Sequence, residues 1–174
     1  MLALALTSQV ACGALEVPDQ PIYKDFSIKQ MDFPLKSGLR ILIQEDHSTP
    51  LVAVYSAYNV GDAQDPKGLE GLAHFVEHLQ FRTRPGGDGD PIWEYLKRTG
   101  ASFNAFTAED QTVYYEVAHK SHLPVLMQIE AWRLMGQLGG ITEDEFKVER
   151  EVVRGELRQR TETTPMNKLF ELLY

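Results

Sequence analysis

The chain has 174 residues, 43% of them hydrophobic, which is enough to bury one core and favours one principal domain. A formal net charge of -8 argues against a general nucleic-acid binder, because that function needs Lys and Arg to displace counterions from phosphates. The single cysteine, Cys12, excludes an internal disulfide framework and a cysteine-built zinc site, so any metal must rest on His and carboxylate ligands.

Residues Met1 to Ala14 resemble the apolar core and small-residue end of a secretory signal, without its basic start. Cleavage after Gly13 or Ala14, lipid attachment at Cys12 and a start with no targeting role are all compatible with it, although Gln9 suits a lipoprotein signal poorly. The stretch is too short for an ordinary membrane span. We expect residues 1–20 to be a signal segment and linker marked by Pro18, and residues 21–174 to form the domain. A periplasmic or secreted location follows from such a signal; a cytoplasmic one is the alternative.

From Phe33 to Asp46 the pattern predicts two strands around Lys36-Ser37-Gly38, with Leu39, Ile41 and Ile43 alternating against polar neighbours. After Pro50 a third strand fits Leu51 to Val60 and ends at Gly61-Asp62. The breaker Asp65-Pro66-Lys67-Gly68 precedes a helix over Leu69 to Phe81, and a glycine-rich loop from Pro85 to Asp90 follows it. Pro91 opens a short helix that stops at Gly100. Ser102 to Thr107 and Thr112 to Ala118 then flank Ala108-Glu109-Asp110-Gln111 as a hairpin.

Two long helices follow, Leu123 to Leu138 and, beyond Gly139-Gly140, Glu143 to about Gln159, the second opened by the capping box Thr142-x-x-Glu145. The last run, with Leu169, Phe170, Leu172 and Leu173 at helical spacing, has no glycine cap, basic last turn or proline. We therefore expect the chain to break off within a helix and the domain to be incomplete at its C-terminus. The order of elements predicts an α+β domain with an antiparallel or mixed sheet and helices packed on one face.

On a helix that advances about 100° per residue, His74, Glu77 and His78 share one face. Two imidazoles one turn apart are the usual way a helix offers zinc a pair of nitrogen ligands, and the neighbouring carboxylate of Glu77 can reach a water on the metal. The bland alternative is two histidines on a polar helix face. A catalytic zinc also needs a third protein ligand, and the last helix offers Glu143, Glu145, Glu149, Glu151 and Glu156. Glu149 and Glu156 lie about 20° apart on that helix. For most of these glutamates, pairing with Lys147, Arg150, Arg154 and Arg158 on a solvated face is the simpler account.

Four blocks carry a resemblance: Gly68-Leu69-x-Gly71-Leu72-Ala73-His74-Phe75-Val76-Glu77-His78, Gly100 to Thr107, Asp110-x-Thr112-x-Tyr114, and Glu149-Arg150-Glu151-Val152-Val153-Arg154-Gly155-Glu156. In this order they resemble the pitrilysin and insulinase family, which includes the mitochondrial processing peptidases and bacterial zinc proteases and whose signature is the inverted His-x-x-Glu-His. The resemblance covers nearly everything from Phe33 to Tyr174. It implies that His74, His78 and Glu156 ligate one zinc, that Glu77 is the general base, and that Glu149 supports the site from outside the ligand set. Glu149 stays the competing third ligand.

The resemblance also implies that Asn104, Ala105, Phe106 and Thr107 form a sheet edge on which an extended substrate lies as an added strand. Read from its residues alone, the alternation of Phe103, Ala105 and Thr107 requires no more than an ordinary half-buried strand. The implied activity is a zinc-dependent endopeptidase in which metal-activated water hydrolyses peptide bonds of peptides or small proteins. A downstream homologous domain or partner subunit completes the cleft in such proteins. A non-catalytic peptide-binding subunit of the same fold, and a metal-dependent hydrolase of non-peptide bonds, are the rivals. After His78 the chain departs from the family's apolar stretch and Gly-Thr, reading Leu79-Gln80-Phe81-Arg82-Thr83-Arg84, which is expected to set Gln80 and Arg82 beside the cleft. Gly155 is expected to let the two metal-bearing helices approach closely.

Overall fold

The computed structural model describes residues 30–136 and 138–163, and these fall into two units divided after Ser48. The expected signal segment, the linker prolines and the apolar run from Leu169 to Leu173 lie outside the described residues. No helix among the described residues is long and apolar enough to cross a membrane.

The first unit contains a hairpin of β1 (Gln30–Pro34) and β2 (Arg40–Gln44), with Gln30 opposite Gln44 and Pro34 opposite Arg40. Gly38, at φ 91°, supplies the left-handed residue of its turn, as Lys36-Ser37-Gly38 predicts. The first strand begins at Gln30, earlier than Phe33, because pairing with Gln44 extends the ladder past the alternating residues.

In the second unit, β3 (Leu51–Tyr58), β4 (Ser102–Thr107) and β5 (Thr112–His119) form an antiparallel sheet in the order β3-β5-β4. The central β5 is the most buried strand, and β4 is an edge among the described residues. Four helices follow the strands in the chain or separate them: α1 (Leu72–Arg82), α2 (Ile92–Arg98), α3 (Leu123–Leu134) and α4 (Glu143–Thr163). Ile92 and Leu96 of α2, Leu126 and Ile129 of α3 and Ala118 of β5 make the core, with Val52, Val54, Phe81 and Phe103 packed against it. Full burial of each of the four large aliphatic side chains contributes about 1.5–3 kcal/mol. The helices thus gather on the face of the sheet to which Val52, Val54 and Phe103 point, and the architecture is α+β as predicted.

A charged cluster is buried inside this unit. Arg133 of α3 donates to Glu116 of β5 and to Glu130 one helical turn before it, and all three side chains are buried. Tyr114 and Phe81 lie against the guanidinium, 4.5 and 5.3 Å from ring centre to Cζ.

α3 stops at Leu134, short of Leu138, because Gly136 takes a left-handed φ of 65° and donates its N–H to the Arg133 carbonyl at 2.9 Å. The spacing of Leu134 and Leu138 masks that stop in the sequence.

Candidate metal centre

α1 begins at Leu72 rather than Leu69, and its start is fixed from a distance. Asp65 accepts the N–H of Gly71 at 2.6 Å and of Leu72 at 3.0 Å on Oδ2, and that of Ala73 at 2.9 Å on Oδ1. These are donors that a helix start leaves without partners, and a carboxylate is also favoured by the positive end of the dipole. The residues that read as a breaker therefore supply the cap, and they set which way the next turn, with His74 to His78, points.

α4 is brought to α1 by the loop that follows α1. The guanidinium of Arg84 makes a two-pronged pair with Glu145, 2.8 Å on each side, and Nη1 also donates to the Gly140 carbonyl at 2.7 Å. Glu145 in turn accepts from the Thr142 N–H at 2.9 Å, closing the capping box, and its carboxyl is held down at about 2, first by Arg84. Gly140, at φ 68°, comes so close to Gly87 that an added Cβ would sit 2.6 Å from the Gly87 carbonyl oxygen. Phe75 of α1 and Phe146 of α4 then meet edge to face at 5.0 Å.

Across this contact three donor atoms converge. Glu156 Oε2 lies 3.4 Å from His74 Nε2 and 3.8 Å from His78 Nε2. The two rings stand edge to face with centroids 4.9 Å apart. Zinc bonds of about 2.0–2.2 Å at tetrahedral angles hold neighbouring ligand atoms roughly 3.3 Å apart, so these separations fit a zinc ion with little movement. His74, Glu77 and His78 also form a cluster whose possible ligand atoms all lie within 4.8 Å of one another. The nitrogen and carboxylate donor set suits zinc in a chain with one cysteine.

The other candidates fall around this centre in different ways. Glu149 is buried, 7% exposed at its side chain against 40% for Glu156. Its Oε2 faces the outer nitrogen of His78, Nδ1, at 3.2 Å, and its Oε1 accepts from Arg82 Nε at 2.7 Å. Glu77 is buried and accepts the hydroxyl of Thr107 at 2.7 Å on Oε2. Of the β4 residues, Asn104 and Phe106 are exposed, Ala105 faces inward, and Thr107 turns its side chain to Glu77 while its backbone remains on the edge strand. The sequence brings out Thr107 as a residue of the substrate-bearing edge strand; its bond to Glu77 joins two separate elements, and no local spacing signals it.

Two expectations about the surroundings are corrected, those for Gln80 and Gly155. Gln80 is buried and lines a cavity of about 320 Å³ with Tyr58, Leu72, Ala73, Val76 and Tyr114; it lies about 120° round α1 from His74, away from the donor atoms. Arg82 is engaged with Glu149, so its side chain belongs to the support of the centre. At Gly155 an added Cβ would meet nothing within 4 Å among the described residues, so a close helix approach does not require that glycine.

Comparison with known proteins gives the chain's relatives. Residues 40–174 match the family described as Insulinase (Peptidase family M16). The chain is 32% identical over 143 residues to the zinc protease PqqE of Helicobacter pylori, covering 82% of this chain and 32% of that protein. It is 39% identical over 82 residues to the peroxisomal insulin-degrading enzyme-like 1 of Arabidopsis thaliana, covering 47% of this chain and 8% of the relative. Among solved structures, a protease from Helicobacter pylori superposes with a TM-score of 0.70 at 32% identity over 83% of this chain and 34% of that one. Pitrilysin superposes with a TM-score of 0.54 at 27% identity, over 62% of this chain and 12% of its own. The chain spans about a third of the length of the Helicobacter relative.

Proposed function

The chain belongs to the insulinase family, peptidase family M16, and on that premise we propose that it is the metal-bearing domain of a zinc-dependent endopeptidase acting on extended peptides. The observation that carries this is the convergence of His74 Nε2, His78 Nε2 and Glu156 Oε2 at zinc-ligand separations, with the carboxylate of Glu77 on the same helix face. His74, His78 and Glu156 hold the ion, and Glu149 orients His78. Zinc bound there supplies a Lewis acid that lowers the pKa of a coordinated water and polarises a carbonyl.

Glu77 takes the proton from the attacking water and returns it to the departing amine. Its burial on the helix face that carries the two histidines keeps its carboxylate beside them and shielded from bulk solvent. Thr107 holds one oxygen of Glu77, leaving the other to face the substrate. The outward N–H and C=O groups of β4, which alternate along Asn104, Ala105, Phe106 and Thr107, bind the peptide as an added strand, which selects for extended backbone with little demand on sequence. A further domain or partner subunit closes the cleft and supplies the rest of the grip.

Glu77→Gln keeps the shape of the side chain and removes its basicity. The full-length protein with this change is expected to bind zinc as the wild type does and to cleave a quenched, unstructured peptide at least about 10²-fold more slowly. A variant that loses zinc together with activity makes Glu77 a ligand or a folding residue, and one that keeps full activity removes it from the mechanism.

A further inference from the structure

α4 delivers two carboxylates to the histidines, Glu156 to both and Glu149 to His78, and the sequence leaves both open as the third ligand. What separates them is how their oxygens are used. Glu156 turns Oε2 to the Nε2 atoms of His74 and His78. Glu149 divides its oxygens: Oε1 accepts from Arg82 Nε at 2.7 Å and lies 2.6 Å from Nη2 of the same guanidinium, and Oε2 stands 3.2 Å from His78 Nδ1. We propose that Arg82 is the positioning residue that decides between the two glutamates, pinning Glu149 to the outer nitrogen of His78 and keeping it out of the ligand set. This rests on the metal site proposed above.

Held by a guanidinium, Glu149 offers His78 only an acceptor, so the ring proton must sit on Nδ1 and the lone pair on Nε2, which faces Glu156 and the ion. Arg82 follows His78 by one helical turn, so the two side chains leave α1 on the same side and one carboxylate reaches both. Trp93 of α2 backs the guanidinium, its ring centre 5.6 Å from Cζ, while Lys97 Nζ lies 3.9 Å from the same ring. Without Arg82, a carboxylate that is 7% exposed loses its strongest partner, and the nearest replacement is the metal. Glu149 would then leave His78 Nδ1 and compete with Glu156 for the ion.

The test compares Arg82→Met, Arg82→Lys and His78→Ala in the full-length protein. Zinc affinity is read by competition with a chromophoric chelator, and the coordination sphere by the visible absorption of the cobalt-substituted protein. Arg82→Met is expected to bind zinc 10- to 100-fold more weakly and to shift the cobalt bands, and Arg82→Lys, which keeps the charge, to recover most of the affinity. If Arg82→Met does not fold, Arg82→Gln, which keeps an N–H donor without the charge, is read in the same way. Wild-type affinity and an unchanged cobalt spectrum in the Arg82 variants, with His78→Ala losing the metal, would overturn the role of Arg82. Zinc retained by His78→Ala at wild-type affinity would instead overturn the metal site itself.

Discussion

Thr107 has one hydroxyl proton to give, and the structure shows where it goes. Thr112, opposite it across the β4–β5 pair, donates to the Val60 carbonyl at 2.8 Å and lies 3.3 Å from the Thr107 oxygen. The Thr107 proton is therefore free to bind Glu77, and a hydrogen bond to a charged group is worth about 1.5–3 kcal/mol. Thr107→Val, which keeps the shape, is expected to lower kcat roughly 10-fold or more with KM and zinc content near wild type, while Thr107→Ser restores it. Steady-state kinetics decide: a rise in KM alone would return Thr107 to a purely substrate-binding role. At this scale the sequence shows His74, Glu77 and His78, because their arrangement is a property of one helix. The Thr107–Glu77 and Arg82–Glu149 bonds are not legible there, since each depends on how separate elements meet.

Elements were most legible where they end on chemistry the chain carries locally. The hairpin turn at Gly38, the capping box Thr142 to Glu145 and the strand pair across Ala108-Glu109-Asp110-Gln111 all stand where their residues predict. The start of α1 did not, because its cap comes from Asp65 by way of a loop. Gly155 lies in the interior of α4, exposed, with room for a methyl group. Replacing it by alanine removes backbone freedom from the unfolded chain and is expected to stabilise the protein by up to about 1 kcal/mol. Thermal unfolding measures this, and a lower midpoint would show that α4 meets a partner there for which glycine is required.

For the second unit as a whole, the buried group of Glu116, Glu130 and Arg133 ties folding to pH. Two carboxylates share one guanidinium away from water, and burial, ahead of the other influences, pushes Glu116 up to about 7. The folded state therefore holds a proton that the unfolded state releases near 4.5. The sign follows: this contribution is fully present below about 4.5 and is lost as pH rises through about 7. Denaturant unfolding between pH 5 and 8 is expected to show a falling stability that flattens in Glu116→Gln; an equal slope in the variant would place the titration elsewhere.

The α+β architecture is legible because strands and helices differ in period. The helix pairing that brings the candidate ligands together rests on Arg84, Glu145 and the approach of Gly140 to Gly87, which become visible only once the chain is folded. We propose that this pairing makes one zinc site from His74, His78 and Glu156. Zinc bound per chain, measured by elemental analysis of the full-length protein purified without chelator, tests it most directly. About one zinc is expected in the wild type and in Glu77→Gln, and a large loss in Glu156→Gln. Full zinc content in Glu156→Gln, or none in the wild type even after titration with the metal, would contradict it.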